Sequence, residues 1–168
     1  MNGQLAFFVS VLFGLSAWSA VGAMYLWPWL RKQPREDALK PLLTLHAFRY
    51  IGLSFLVPGV VAADLPMTFA RSAALGDLAA AVLALLALAF LRSGLGTALL
   101  WIFNVWGSFD LLNAFFQAGA SGLYPGQFGA AYFLPTTIVP LLLVTHVLMF
   151  RLIKKPARGR LFEGQGAA

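Results

Sequence analysis

Cysteine is absent from all 168 residues, which removes disulfides, thiolate nucleophiles, iron–sulfur clusters and thiolate zinc sites together. Charge is nearly as scarce. Only 11% of the chain is Asp, Glu, Lys or Arg, with six acids and two histidines in total, whereas an ordinary soluble domain carries about a quarter charged residues. Catalytic signatures are missing too: there is no glycine-rich phosphate loop, HExxH, nucleophile elbow or paired Asp-rich prenyl-diphosphate motif. No reaction is indicated, and the reading leans away from an enzyme. Nor is there an internal repeat of the inverted-repeat transporter kind.

What is present is apolar. Hydrophobic residues make up 60% of the chain. A hydrocarbon core of about 30 Å needs roughly 20 such residues per helix, and five segments meet that, at about 5–29, 42–62, 72–91, 95–117 and 131–153. The expectation is an all-α membrane protein, a five-helix transmembrane bundle forming a single domain over 1–168, with a basic tail from 154 to 168. The opening MNGQLAFFV has no basic n-region, and the first segment, at about 25 residues, is longer than a signal-peptide core. It reads as a retained helix, with the small residues of SAVGA pointing the other way.

The basic residues orient the bundle. Arg31, Lys32, Arg35 and Lys40, then Arg92, then Arg151, Lys154, Lys155, Arg158 and Arg160 fall on one side, and Arg71 alone on the other. Positive charge stays in the cytoplasm, so the N-terminus is expected outside and the C-terminus inside a bacterial cytoplasmic (inner) membrane. The net charge of +6 follows from that bias and from contact with anionic lipid, without calling for nucleic acid. The partners expected are the bilayer, a small-molecule ligand, and a partner subunit or second copy.

Local signals refine the spans. WPWLRKQPRED suits a headgroup-level helix end, and LRKQPREDALK reads as a cytosolic loop. Gly76, Ala80 and Ala84 recur every four residues, which lets a neighbouring helix approach closely. The short turn at Arg92, Ser93 and Gly94 makes an antiparallel hairpin of the third and fourth helices. Pro135 and Pro140 kink the fifth, with Thr136 and Thr137 placed to satisfy the freed backbone groups.

Ionisable groups at membrane depth are costly and are functional candidates by default. Counting helix rise puts His46 about 7 Å, Arg49 about 11 Å and His146 about 10 Å from the cytoplasmic side. At about 100° per residue, His46, Arg49 and Tyr50 share one face, as do Asn104, Gly107 and Ser108 on the fourth helix. His46, Arg49, Tyr50, Asn104, Ser108 and His146 therefore form a candidate ligand pocket open to the cytoplasm. Asp77, Asp110, Asn113 and Gln117 make a second polar layer nearer the outside. Arg71 is its nearest formal countercharge, although Arg49 is long enough to reach Asp110.

Several roles remain open for these groups. His46 and Arg49 either snorkel toward headgroups or bind a small anionic or amphipathic ligand, with Arg49 as anion partner and the histidines as hydrogen-bonding, titrating groups. Alternatively His46 and His146 are the axial ligands of a b-type haem in an electron-transfer or accessory subunit. A third reading is a structural subunit of a larger membrane complex. Asp77 and Asp110 lie too far toward the other face to complete a metal site with the histidines. The second layer serves either as interhelical hydrogen bonds, worth about 1 kcal/mol each, or as a proton- or cation-linked site.

The strings LHAFRYIGLSFLVPG, GDLAAA, WIFNVWGSFDLLNA and FLPTTIVPLLLVTHVLMF resemble those of small, uncharacterised polytopic bacterial membrane proteins with four or five helices and a polar residue or two in each. The resemblance covers about residues 42 to 152 and leaves the first helix and the tail outside. It implies that His46, Arg49, Asp77, Asn104, Asp110 and His146 belong to one recurring constellation. No activity comes with it.

Overall fold

The structure, a computed structural model, describes residues 2–154. The expected basic tail lies outside the described residues beyond Lys154. Among them the fold is all helical, without strands. Helix α1 spans Gly3–Leu30. Helix α2, Arg35–Ala47, runs on without a break as a 3₁₀ helix at Phe48–Leu56. Helices α3 (Met67–Ala89) and α4 (Gly96–Ala120) form the hairpin. A 3₁₀ stretch at Pro125–Tyr132 leads into α5, Leu134–Ile153. Four of these, α1, α3, α4 and α5, are long and apolar enough to cross a membrane.

Two boundaries depart from expectation. The polar stretch LRKQPREDALK, expected as a cytosolic loop, enters a helix at Arg35. Pro34 supplies the extended residue before the first turn, and Glu36 and Asp37 in that turn complement the exposed amides at the helix start. Arg35 is consequently buried, with Nη2 donating to the Thr97 hydroxyl at 3.3 Å. Helix α3 begins at Met67 rather than near 72, so Arg71 rides exposed in its first turns.

Helix α3 is the centre of the bundle. Its small residues Ala73, Gly76, Ala80, Ala84 and Ala87 are all buried, and with so little side chain in the way, backbones pack closely where apolar lipid offers no hydrophobic drive. Helix α1 is peripheral and leans on α5. Pro140 has no N–H to donate to the Thr136 carbonyl, and the chain opens into a π turn over Leu134–Ile138. Helix α1 covers the loosened turn. Gly14 packs against the Thr136 carbonyl and the Pro140 ring, and the Trp18 indole N–H donates to the Thr137 carbonyl at 3.1 Å.

Apolar packing forms two separate clusters. One gathers Leu39, Leu43, Phe103, Met149 and Leu152, and the other Phe7, Phe55, Phe69 and Phe128. The buried polar residues His46, Arg49, Asn104, Thr145 and His146 lie between them along their helices. A polar clasp closes the loops beside the second cluster. Tyr124 donates its hydroxyl to Asp64 at 2.7 Å, and Gln127 donates to the same carboxylate at 3.3 Å. The Tyr124 bond holds the Asp64 carboxyl below its ordinary range and pushes the Tyr124 phenol up. Gly129 permits the accompanying turn, with φ at +51° and the Val60 carbonyl where a side chain would be.

Candidate functional site

A 3₁₀ helix turns about 120° per residue, so every third side chain lies on one line. His46, at the end of α2, and Arg49, Gly52 and Phe55 within the 3₁₀ segment follow that spacing, and all four are buried. Tyr50 does not join them. The 100° wheel places it beside Arg49, but in the tighter turn it points away and is 54% exposed. Nine residues of 3₁₀ helix exceed the usual run of about three or four. The straight row presents His46 and Arg49 to the bundle one directly above the other.

Arg49 is fully consumed by its neighbours. Its Nε donates to Asp77 at 2.7 Å, Nη2 to Asp110 at 2.6 Å, and Nη1 to the Gly107 carbonyl at 3.2 Å. Arg49 of the expected inner layer thus meets Asp77 and Asp110 of the outer one. Counting depth along the helix axes separates them, but the long arginine side chain bridges the difference and pairs both carboxylates. Arg71, expected as their nearest countercharge, plays no part.

Three glycines make the approach feasible, one on each element. A β-carbon at Gly52 would meet Asp77 Cγ at 2.8 Å, one at Gly76 would meet Asp110 Cγ at 2.6 Å, and one at Gly107 would meet Arg49 Nη1 at 2.8 Å. Charged side chains fill the space where these glycines lack their own. In lipid surroundings this matters, because an unpaired charge at depth costs several kcal/mol.

The histidines form a second cluster. His146 Nδ1 lies 2.7 Å from Asn104 Oδ1, while Asn104 Nδ2 donates to the His146 carbonyl at 3.3 Å. With the amide so oriented, Nδ1 carries the proton and Nε2 a free lone pair. Thr145 donates its hydroxyl to the carbonyl of Leu141 or Leu142. It therefore accepts from His46 Nε2 at 2.9 Å, which leaves His46 Nδ1 as the lone-pair nitrogen. His46 Nδ1 and His146 Nε2 are both buried without a partner. The rings sit 4.2 Å apart at 49°, against Phe103 at 5.2 and 5.3 Å.

The haem reading does not fit this arrangement. Axial ligation needs an iron and a flat macrocycle between the two imidazoles, but these rings are in contact, and the His46 Nε2 is held by Thr145. Among the described residues no group of three or more histidine, aspartate or glutamate side chains is placed to hold a metal.

Other candidates fall outside the centre. Ser108 donates to the Asn104 carbonyl one turn back, at 2.7 Å. Asn113 lines a groove between α3 and α4 that reaches Asp110, and Gln117 donates to Ser72 at 3.1 Å near the surface. The sequence does not single out Thr145, Phe103 or Gly52, although the period-three string from His46 to Phe55 is a signal for Gly52.

His46, Arg49, Asn104 and His146, expected to wall a pocket open to the cytoplasm, are instead almost wholly buried, and a cavity opens on the side of the triad away from the histidines. Phe7, Phe55, Phe69, Phe115 and Phe128 contribute to its walls, and Asp77 and Asp110 are its ionisable lining. Neither Arg49 nor either histidine lines it.

No curated protein and no solved structure matches this chain. One family profile does, over residues 6–154, a range that includes every residue of the triad, the histidine cluster and the cavity. The chain belongs to that family, the domain of unknown function DUF8737.

Proposed function

We propose that the protein works in the bacterial cytoplasmic membrane as a binding or translocating protein for a small amphipathic ligand, held in the phenylalanine-walled cavity above Asp77 and Asp110. One observation carries this reading. The cavity's walls are phenylalanine and other apolar side chains, with Asp77 and Asp110 as the ionisable lining, and ligand sites are likewise mostly apolar with a few placed polar groups. Of the two ligand types expected, the amphipathic one is retained over the anionic one, because each nitrogen of Arg49 is already engaged.

On this reading the chain crosses the membrane five times, with its N-terminus outside. The α2 segment supplies the fifth crossing: beyond Lys40 its remaining α-helical turns and the nine-residue 3₁₀ stretch extend about 29 Å. Ten basic residues on one side against Arg71 on the other support the orientation. A chain without cysteine makes the check direct. Ser121→Cys is expected to react with a membrane-impermeant maleimide in intact spheroplasts, and Ser93→Cys only after lysis. The reverse pattern would invert the topology.

Binding is tested with 1-aminoanthracene, an uncharged probe that brightens in apolar surroundings. Saturable enhancement is expected with the full-length protein in phosphatidylcholine nanodiscs, and Ala114→Trp, which fills the cavity from α4, is expected to remove it. Enhancement no greater than in empty nanodiscs, or unchanged in Ala114→Trp, would sink the reading.

A further inference from the structure

We infer that the ligand is an amphipathic cation, a protonated amine or quaternary ammonium with an apolar tail, and that it exchanges for one proton at the Asp77–Arg49–Asp110 triad. This deepens the proposal above and rests on the cavity being a binding site.

Accessibility decides the sign of charge. The Arg49 side chain has 0% of its surface exposed, while Asp77 and Asp110 retain 17% and 12%. A ligand in the cavity meets carboxylates and not the guanidinium. Arg49 also takes only one oxygen from each, Asp77 Oδ1 and Asp110 Oδ2. The second oxygen of each packs on a glycine, Asp77 Oδ2 against Gly52 and Asp110 Oδ1 against Gly76, and has no hydrogen-bond donor among the described residues. Phenylalanine rings line the rest of the site, offering apolar surface to a tail and π-systems that attract a cation.

Charge balance gives the exchange. One guanidinium and two ionised carboxylates leave a surplus of one negative charge. Surplus charge away from water is expensive, so the empty site is neutral when one carboxyl holds a proton. When the cation binds, that O–H bond breaks, the proton passes to water, and the ammonium takes its place beside the carboxylate. No redox change or covalent bond to the ligand is involved.

The 3₁₀ segment brings Arg49, α3 brings Asp77 and α4 brings Asp110. His46 from α2 and His146 from α5 pack together near the guanidinium but do not line the cavity. Helix α1 brings Phe7 and no charged group.

The experiment displaces 1-aminoanthracene from the full-length protein in phosphatidylcholine nanodiscs, with empty nanodiscs subtracted. Three competitors share one tail: octyltrimethylammonium, octanol and octanoate. The cation is expected to compete at least about tenfold better than octanol, and octanoate worst. Because its charge is permanent, only the protein's protons bear on pH, and its apparent affinity is expected to rise up to about tenfold per pH unit while octanol's stays flat. Asp110→Asn is expected to reduce the cation to octanol's level. Should that variant fail to fold, the pH series on the wild type decides alone. Equal competition by all three, or a flat pH response for the cation, overturns the cation proposal while leaving the apolar site standing. Absence of saturable probe binding overturns both.

Discussion

Arg49→Met is expected to destabilise the protein by about 3–5 kcal/mol, the usual cost of removing one partner from a buried ion pair. The reason is not the loss of attraction alone. Asp77 and Asp110 both face Arg49, at 2.7 and 2.6 Å, and without it two carboxylates crowd one buried site with no countercharge. A triple variant, Arg49→Met with Asp77→Asn and Asp110→Asn, is expected to recover most of the lost stability, because no formal charge is left unpaired. Circular dichroism during denaturant unfolding in detergent micelles measures both. An Arg49→Met midpoint within error of the wild type would remove the triad from the structural account. A triple variant no better than the single would show that the guanidinium matters through shape and not charge.

The second large effect is expected at Gly107. An alanine there places its methyl 2.6 Å from His146 Cε1, 2.7 Å from Nε2 and 2.8 Å from Arg49 Nη1. Neither neighbour moves freely: Asn104 holds the imidazole, and two carboxylates hold the guanidinium. Gly107→Ala is expected to cost about 1–3 kcal/mol, as overpacking does in a filled core. Gly119→Ala, on the same helix, makes the comparison. Nothing lies within 4 Å of its added methyl, so it is expected to gain about 0.4–1 kcal/mol from the reduced freedom of the unfolded chain. If the two variants unfold at the same denaturant concentration, the close packing at Gly107 is not a constraint.

These effects concern residues whose importance was partly legible beforehand. His46, Arg49, Asn104 and His146 stood out as polar groups in apolar helices, and the structure gathers all four. Asp77 and Asp110 stand out equally but fall in another layer by depth, with Asp110 alone in expected reach of Arg49. Depth along a helix locates the Cα, whereas Arg49 acts at its guanidinium, several bonds away. Tyr50 joins the face on a 100° wheel and Phe55 does not, and the change from about 100° to about 120° per residue after Ala47 reverses both. The cavity had no sequence signal at all. Phe7, Phe55, Phe69, Phe115 and Phe128 come from five separate helical segments, and nothing in their spacing distinguishes them from exposed phenylalanines such as Phe8, Phe13 and Phe116.

Sequence alone determined that this chain is helical and suited to a bilayer, that α3 offers a small-residue face, and that a few charges must find partners at depth. Those follow from composition and from the period of the helix, which are local. Tertiary structure decided which charges meet, that the two imidazoles touch each other and not a cofactor, and that the open space lies on the carboxylate side of Arg49. Those depend on how far each helix is rotated and how closely its glycines let a neighbour approach, and packing between helices sets both.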